Sequence, residues 1–163
     1  MRKMIIYITI LFMLNIITYS QNKQDTLYIA SWNLENLFDT VDDVDKQDED
    51  FLPSGKKEWT QEKIDRKIEN IANVVSAMNG GKGPSILGVT EVEHQHLLDS
   101  MLIRHYNNRN YKIAYSESLD KRGIDNGLIY DADIFSFNYL DTIRVDLESG
   151  YPTRYLFQVN LTH

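Results

Sequence analysis

Cysteine is absent from all 163 residues. That excludes disulfides, thiolate nucleophiles, cysteine-rich zinc sites and lipid attachment through a thiol. Stability must then come from packing, and a composition 42% hydrophobic and 11% aromatic supplies the apolar surface for it. Internal repeats and low-complexity segments are also missing. So is an apolar run long enough to cross a membrane, since the stretch from Met4 to Ile17 is interrupted by Asn15 and falls short of the roughly 20 residues a span needs. Arg2 and Lys3 precede that stretch and Thr18-Tyr19-Ser20 follows it, the pattern of a signal peptide. The expectation is that residues 1–20 direct export to the periplasm or the medium, with no membrane span in the mature chain, and that residues 21–163 form one domain or part of one. Positive charge is scarce as well. Removing residues 1–20 takes two of the 17 basic residues and none of the 24 acids, leaving 15 against 24, a net charge of −9. Such a surface repels polyanions at long range and argues against broad non-specific binding to duplex nucleic acid.

What is present reads as α/β. "LYIASWN" (27–33) alternates as a strand does, and a long connection follows whose segment 39–50 carries seven acids. That segment lacks the glycine and ligand spacing of a calcium loop and is expected to be solvated. Ile64, Ile68, Ile71, Val75 and Met78 form one helical stripe, predicting a helix over 61–78 with Thr60 as N-cap, Trp59 packing on Ile64, and "NGGKGP" (79–84) as the stop. "SILGVT" (85–90) suits a strand covered on both faces, so strand, helix and strand predict parallel pairing. Residues 94–106, with Leu97, Leu98, Met101, Leu102 and His105 at helical spacing, predict a second helix. Strands are expected at 111–116, 127–130, within 134–147 and at 154–161.

Polar, ligand-capable side chains stand at the strand ends: Asn33 after the first, Glu91 after the second and His163 after the last. Ligands of open α/β sheets bind beyond the carboxyl ends of strands, so these three residues are candidates to converge. Asp125 joins them if the strand it precedes runs antiparallel. A carboxylate with an amide oxygen suits a hard cation such as Mg2+ or Mn2+, and a histidine beside it suits phosphoryl chemistry. Each residue also has a plainer role. Asn33 can bind its own following backbone, Glu91 can be an acid in a helix first turn, Asp125 a turn residue and His163 a frayed end. His94 and His96, two residues apart, would diverge on a helix and are a weak zinc pair.

At these residues the sequence resembles the endonuclease/exonuclease/phosphatase superfamily of metal-dependent phosphoesterases. "SWNLENLFD", "ILGVTEVE", "DKRGIDNGLIYD" and "FQVNLTH" look like four of its motifs, in order. The resemblance implies a four-layer α/β sandwich, Asn33 and Glu91 at the metal and phosphate site, His163 on the scissile phosphate and Asp125 paired with that histidine. Glu35 becomes a candidate for the outer metal shell and Arg122 for a phosphate clamp. Glu35 and Glu93 stand where the deoxyribonuclease branch has DNA-gripping arginines, which weakens the expectation of groove binding. The family's second-half catalytic motifs are not found before His163, so the chain is expected to be an incomplete domain and inactive alone. The implied activity of the complete protein is phosphoester hydrolysis, first as an exported endonuclease or phosphodiesterase, with a phosphatase on small or lipid phosphates as the alternative. A non-catalytic exported binding module on the same fold is the rival from another class.

Overall fold

The computed structural model describes residues 26–105 and 109–163, so the signal-peptide expectation for 1–20 lies outside the described residues. The first strand, β1 (Ile29–Leu37), leads through the acidic connection, which includes a short 3-10 turn at Glu49–Phe51, to helix α1 (Gln61–Gly81). Then come β2 (Ile86–Val92), helix α2 (Gln95–His105), β3 (Tyr111–Ser116), β4 (Asp125–Asp131), β5 (Ser136–Ile143) and β6 (Leu156–Thr162). Each predicted element exists. The Thr60 side chain accepts the Lys63 N–H at 3.4 Å, as an N-cap should. The regular part of α1 ends where Met78 turns extended and Asn79 and Gly80 take left-handed φ of 53° and 62°, which stops the helix at the predicted place.

β1, β2, β4 and β3 form one sheet in that order. β1 and β2 run parallel across the α1 connection, while β4 is antiparallel to both β2 and β3. Ile64, Ile68, Ile71 and Val75 of α1, with Leu97, Leu98 and Met101 of α2, pack on Leu34, Leu37, Leu87, Val89, Val92 and Ile129 of the sheet. Gly127 makes room for this packing: a Cβ there would meet Leu98 at 3.2 Å and Val89 at 3.3 Å. The aromatic trio Phe38, Phe51 and Trp59 anchors the connection, with Phe38 stacked on Phe51 at 4.1 Å and the Trp59 indole N–H donating to the Phe38 carbonyl at 2.9 Å.

β5 and β6 form a separate antiparallel ladder. Tyr130 of β4 stacks on Phe137 at 6.4 Å, and the Asn126 side chain donates to the Tyr155 carbonyl at 3.0 Å. The described residues therefore build a helical layer, a mixed four-stranded sheet and a two-stranded ladder, an α/β arrangement with fewer layers than the four expected.

Candidate functional site

The rim beyond β2 is formed where two adjacent strands break step. β1 does not stop at Asn33. Asn33 is the last residue in regular register with β2, opposite Thr90, and the chain then bulges through Glu35 and Asn36, at φ of 55° and 63°, before Leu37 pairs with Val92. β2 bulges at the same level, because Glu91 sits at φ 64° between Thr90 and Val92. Three consecutive-level residues with side chains in the left-handed region carry strain that ordinary strand pairing would avoid, and such strain gathers at functional sites.

The strained backbone is held by specific partners. The Asn33 side-chain oxygen accepts the Glu35 N–H at 2.7 Å, the local role anticipated as its plainer alternative. Lys67, reaching up from α1, donates to the Glu35 carbonyl at 2.6 Å and the Asn36 carbonyl at 3.2 Å. Burial pulls the Lys67 ammonium below its ordinary value, against the attraction of Glu35 and Glu91. The Glu91 carboxylate takes no hydrogen bond among the described residues; it faces the Arg154 guanidinium at 3.8 Å and attracts the Lys67 ammonium. A mostly buried carboxylate left open to a rim, beside an amide whose NH2 is unengaged among the described residues, has the donor chemistry of a one-carboxylate magnesium or manganese site that completes its shell with water and substrate oxygens.

Asp125 reaches this end of the sheet as anticipated, opposite Val92 on antiparallel β4. It is not exposed to the rim, however. Its carboxylate is buried and accepts from the Tyr115 hydroxyl at 2.9 Å and the Ser118 N–H at 2.8 Å. Burial pushes its carboxyl up, against those same hydrogen bonds, and burial with Asp125 alongside pushes the Tyr115 hydroxyl up. Its role here is to pin Tyr115, which also donates to the Glu93 carbonyl at 2.5 Å.

His163 is not brought to the rim. Thr162 pairs with Ser136, and the His163 ring lies 5.8 Å from that of Phe135. The Phe135 N–H donates to the carbonyl of Asp131, whose own N–H donates to Ser85 just ahead of β2. That is the opposite end of β2 from Glu91. The physical reason is strand direction: β6 starts at the rim, where Arg154 and Tyr155 lie, and runs away from it. The expected pairing of Asp125 with His163 is absent for the same reason. Arg122 is engaged too, its guanidinium lying 3.3 Å from Asp120 through both Nε and Nη2. Glu35 is exposed at the rim, whereas Glu93 is buried and cannot repel a polyanion from the surface.

Sequence reading missed Arg154, two residues before β6, and Lys67 of α1. It also left the acidic connection without chemistry. Among the described residues, ligand atoms of Asp39, His94 and His96, and of Asp43, Glu93 and His94, lie within 4.8 Å of one another. The histidines meet because α2 begins at Gln95, so His94 precedes the helix and the rings stack at 5.5 Å instead of diverging.

Residues 28–161 match the model of a family described as the Endonuclease/Exonuclease/phosphatase family. Comparison with curated proteins gives no match.

Proposed function

The chain belongs to the endonuclease/exonuclease/phosphatase family, and from that premise we propose that the complete protein is an exported hydrolase of phosphoesters, first of phosphodiesters, dependent on Mg2+ or Mn2+ held by Glu91. The observation that carries the reading is the Glu91 carboxylate, strained into the left-handed region and free of hydrogen bonds among the described residues, with one arginine facing it. The ion, when bound, supplies positive charge to a phosphoryl oxygen. Everything else at the rim is the work of side chains. Asn33 spends its oxygen on the Glu35 N–H, which fixes the amide plane and leaves its NH2 to donate to a substrate oxygen. Arg154 presents a planar guanidinium suited to two phosphate oxygens at once, and its distance from Glu91 is long enough to be given up for substrate. Lys67 keeps the bulged carbonyls turned inward, so that Glu35 and Asn36 hold their conformation when the rim is occupied.

The exposed Glu35 beside this rim favours a second reading within the same chemistry, a phosphatase acting on small phosphates that carry less charge than a polynucleotide. Export rests on residues 1–20 alone.

Mn2+ titration of this chain and hydrolysis of a chromogenic phosphodiester by the complete protein test the assignment together. Glu91→Gln is expected to lose the rim ion and with it turnover, and Arg154→Ala to weaken substrate binding while keeping the ion. A Glu91→Gln protein with unchanged Mn2+ affinity and unchanged turnover would overturn the assignment.

A further inference from the structure

Asp39 leaves β1 and comes to rest against the start of α2. Its Oδ2 lies 3.5 Å from His94 Nδ1 and 3.3 Å from His96 Nε2. Charge-assisted hydrogen bonds between a carboxylate and a ring N–H close to about 2.7–2.9 Å, so these spacings are long for direct pairing. They fit another geometry. Nitrogen and oxygen ligands each about 2.0–2.1 Å from a tetrahedral zinc ion stand about 3.3–3.4 Å from one another.

A second observation is independent of those distances. Glu93 is 2% exposed, yet among the described residues its Oε1 has no hydrogen-bond partner, and neither has the buried His94 Nδ1. Glu93 Oε2 lies 3.7 Å from that same nitrogen and accepts the Asp39 N–H at 2.7 Å. A buried polar atom with nothing to bond is costly, and a cation held at His94 Nδ1 gives that nitrogen a partner and sets positive charge beside Glu93.

The surroundings orient the donors. Asp39 Oδ1 is occupied by the Val41 N–H at 2.6 Å, which turns Oδ2 toward the rings. Asp43 Oδ2 lies 3.3 Å from His94 Nε2, the place of the outer carboxylate that commonly orients a metal-bound imidazole, and Glu117 lies 4.0 Å from the same nitrogen.

We propose that Asp39, His94 Nδ1 and His96 Nε2 bind one divalent transition-metal ion of the zinc class, at a site separate from Glu91, with the buried Glu93 behind His94 and not among the ligands. Two imidazoles and one carboxylate select a borderline ion over magnesium or calcium, and Asp39 with the neighbouring Glu93 offsets its charge. The ion ties the acidic connection to the junction of β2 and α2. Three protein donors leave the fourth position of the shell to water.

The test is calorimetric titration of Zn2+ into the metal-stripped chain in excess Mg2+, with Co2+ absorption reporting coordination and circular dichroism reporting the fold. One Zn2+ per chain, a tetrahedral Co2+ spectrum and a raised melting temperature are expected. His96→Ala, which removes an exposed ring without opening the core, should weaken Zn2+ binding more than about 10-fold and abolish the thermal shift. Glu91→Gln should leave both unchanged. Absence of Zn2+ binding by the parent chain, equal binding by folded His96→Ala, or loss of binding in Glu91→Gln would each overturn the proposal.

Discussion

The four-stranded sheet and the β5–β6 ladder are built from similar alternating sequence, yet they end in different states. Two helices cover one face of the sheet, and Leu87, Val89, Val92 and Ile129 are buried there. The ladder has two strands and leaves Phe137, Tyr139, Ile143 and Leu156 exposed. A two-stranded ribbon is marginal by itself, so it leans on the sheet through Tyr130 and Asn126 and contributes to the rim only at its entry, through Arg154. The difference teaches that the covered sheet fixes the candidate site, while the segment entering the ladder supplies one cation to it.

Truncation in each region should sharpen that contrast. Leu98→Ala, in the helix-sheet core, is expected to cost about 2–5 kcal/mol in urea unfolding, and Leu156→Ala on the exposed ladder less than about 0.5 kcal/mol. Equal costs would break the comparison. Gly127→Ala, which presses a methyl against Leu98 and Val89, should cost about 1–3 kcal/mol by the same measurement. Thr60→Ala, which removes a long cap bond on α1, should cost about 0.5–1 kcal/mol.

The smallest effect is one of pH in the metal-stripped chain. Glu93 holds the His94 imidazolium, against burial and with help from Asp43 and Asp39, so that its value is pushed up from 6.5 to about 9. A raised folded value means the contribution to stability is fully present below about pH 6.5 and is lost as pH climbs through about 9. Partial exposure of the ring screens it. Unfolding free energy should therefore fall more between those pH values for the parent chain than for His94→Gln.

The helices, the parallel β1–β2 pair and the burial of Leu87 and Val89 were legible because periodicity and capping are local properties, whereas the second covered face expected of "SILGVT" is only half-buried at Ile86, Gly88 and Thr90. Glu91 and Asp125 were placed at one rim by a simple rule of strand direction. His163 defeated the same rule, because alternation along "RYLFQVNL" carries no information about which way the strand points. The bulges at Glu35, Asn36 and Glu91 were invisible for a related reason, since none is a glycine and the left-handed conformation is imposed by Lys67 and the neighbouring strand. The seven-acid connection looked solvated in sequence, but Asp39 and Asp43 turn inward once His94 falls outside the helix.

The central claim is that a divalent ion sits at the Glu91 rim and not at the His163 end. Paramagnetic broadening of amide signals by substoichiometric Mn2+, with Zn2+ already added, tests it most directly. The expected result is strongest loss at Asn33, Thr90 to Val92 and Arg154, with Phe135 and His163 unaffected. Broadening centred on Phe135 and His163 would contradict it.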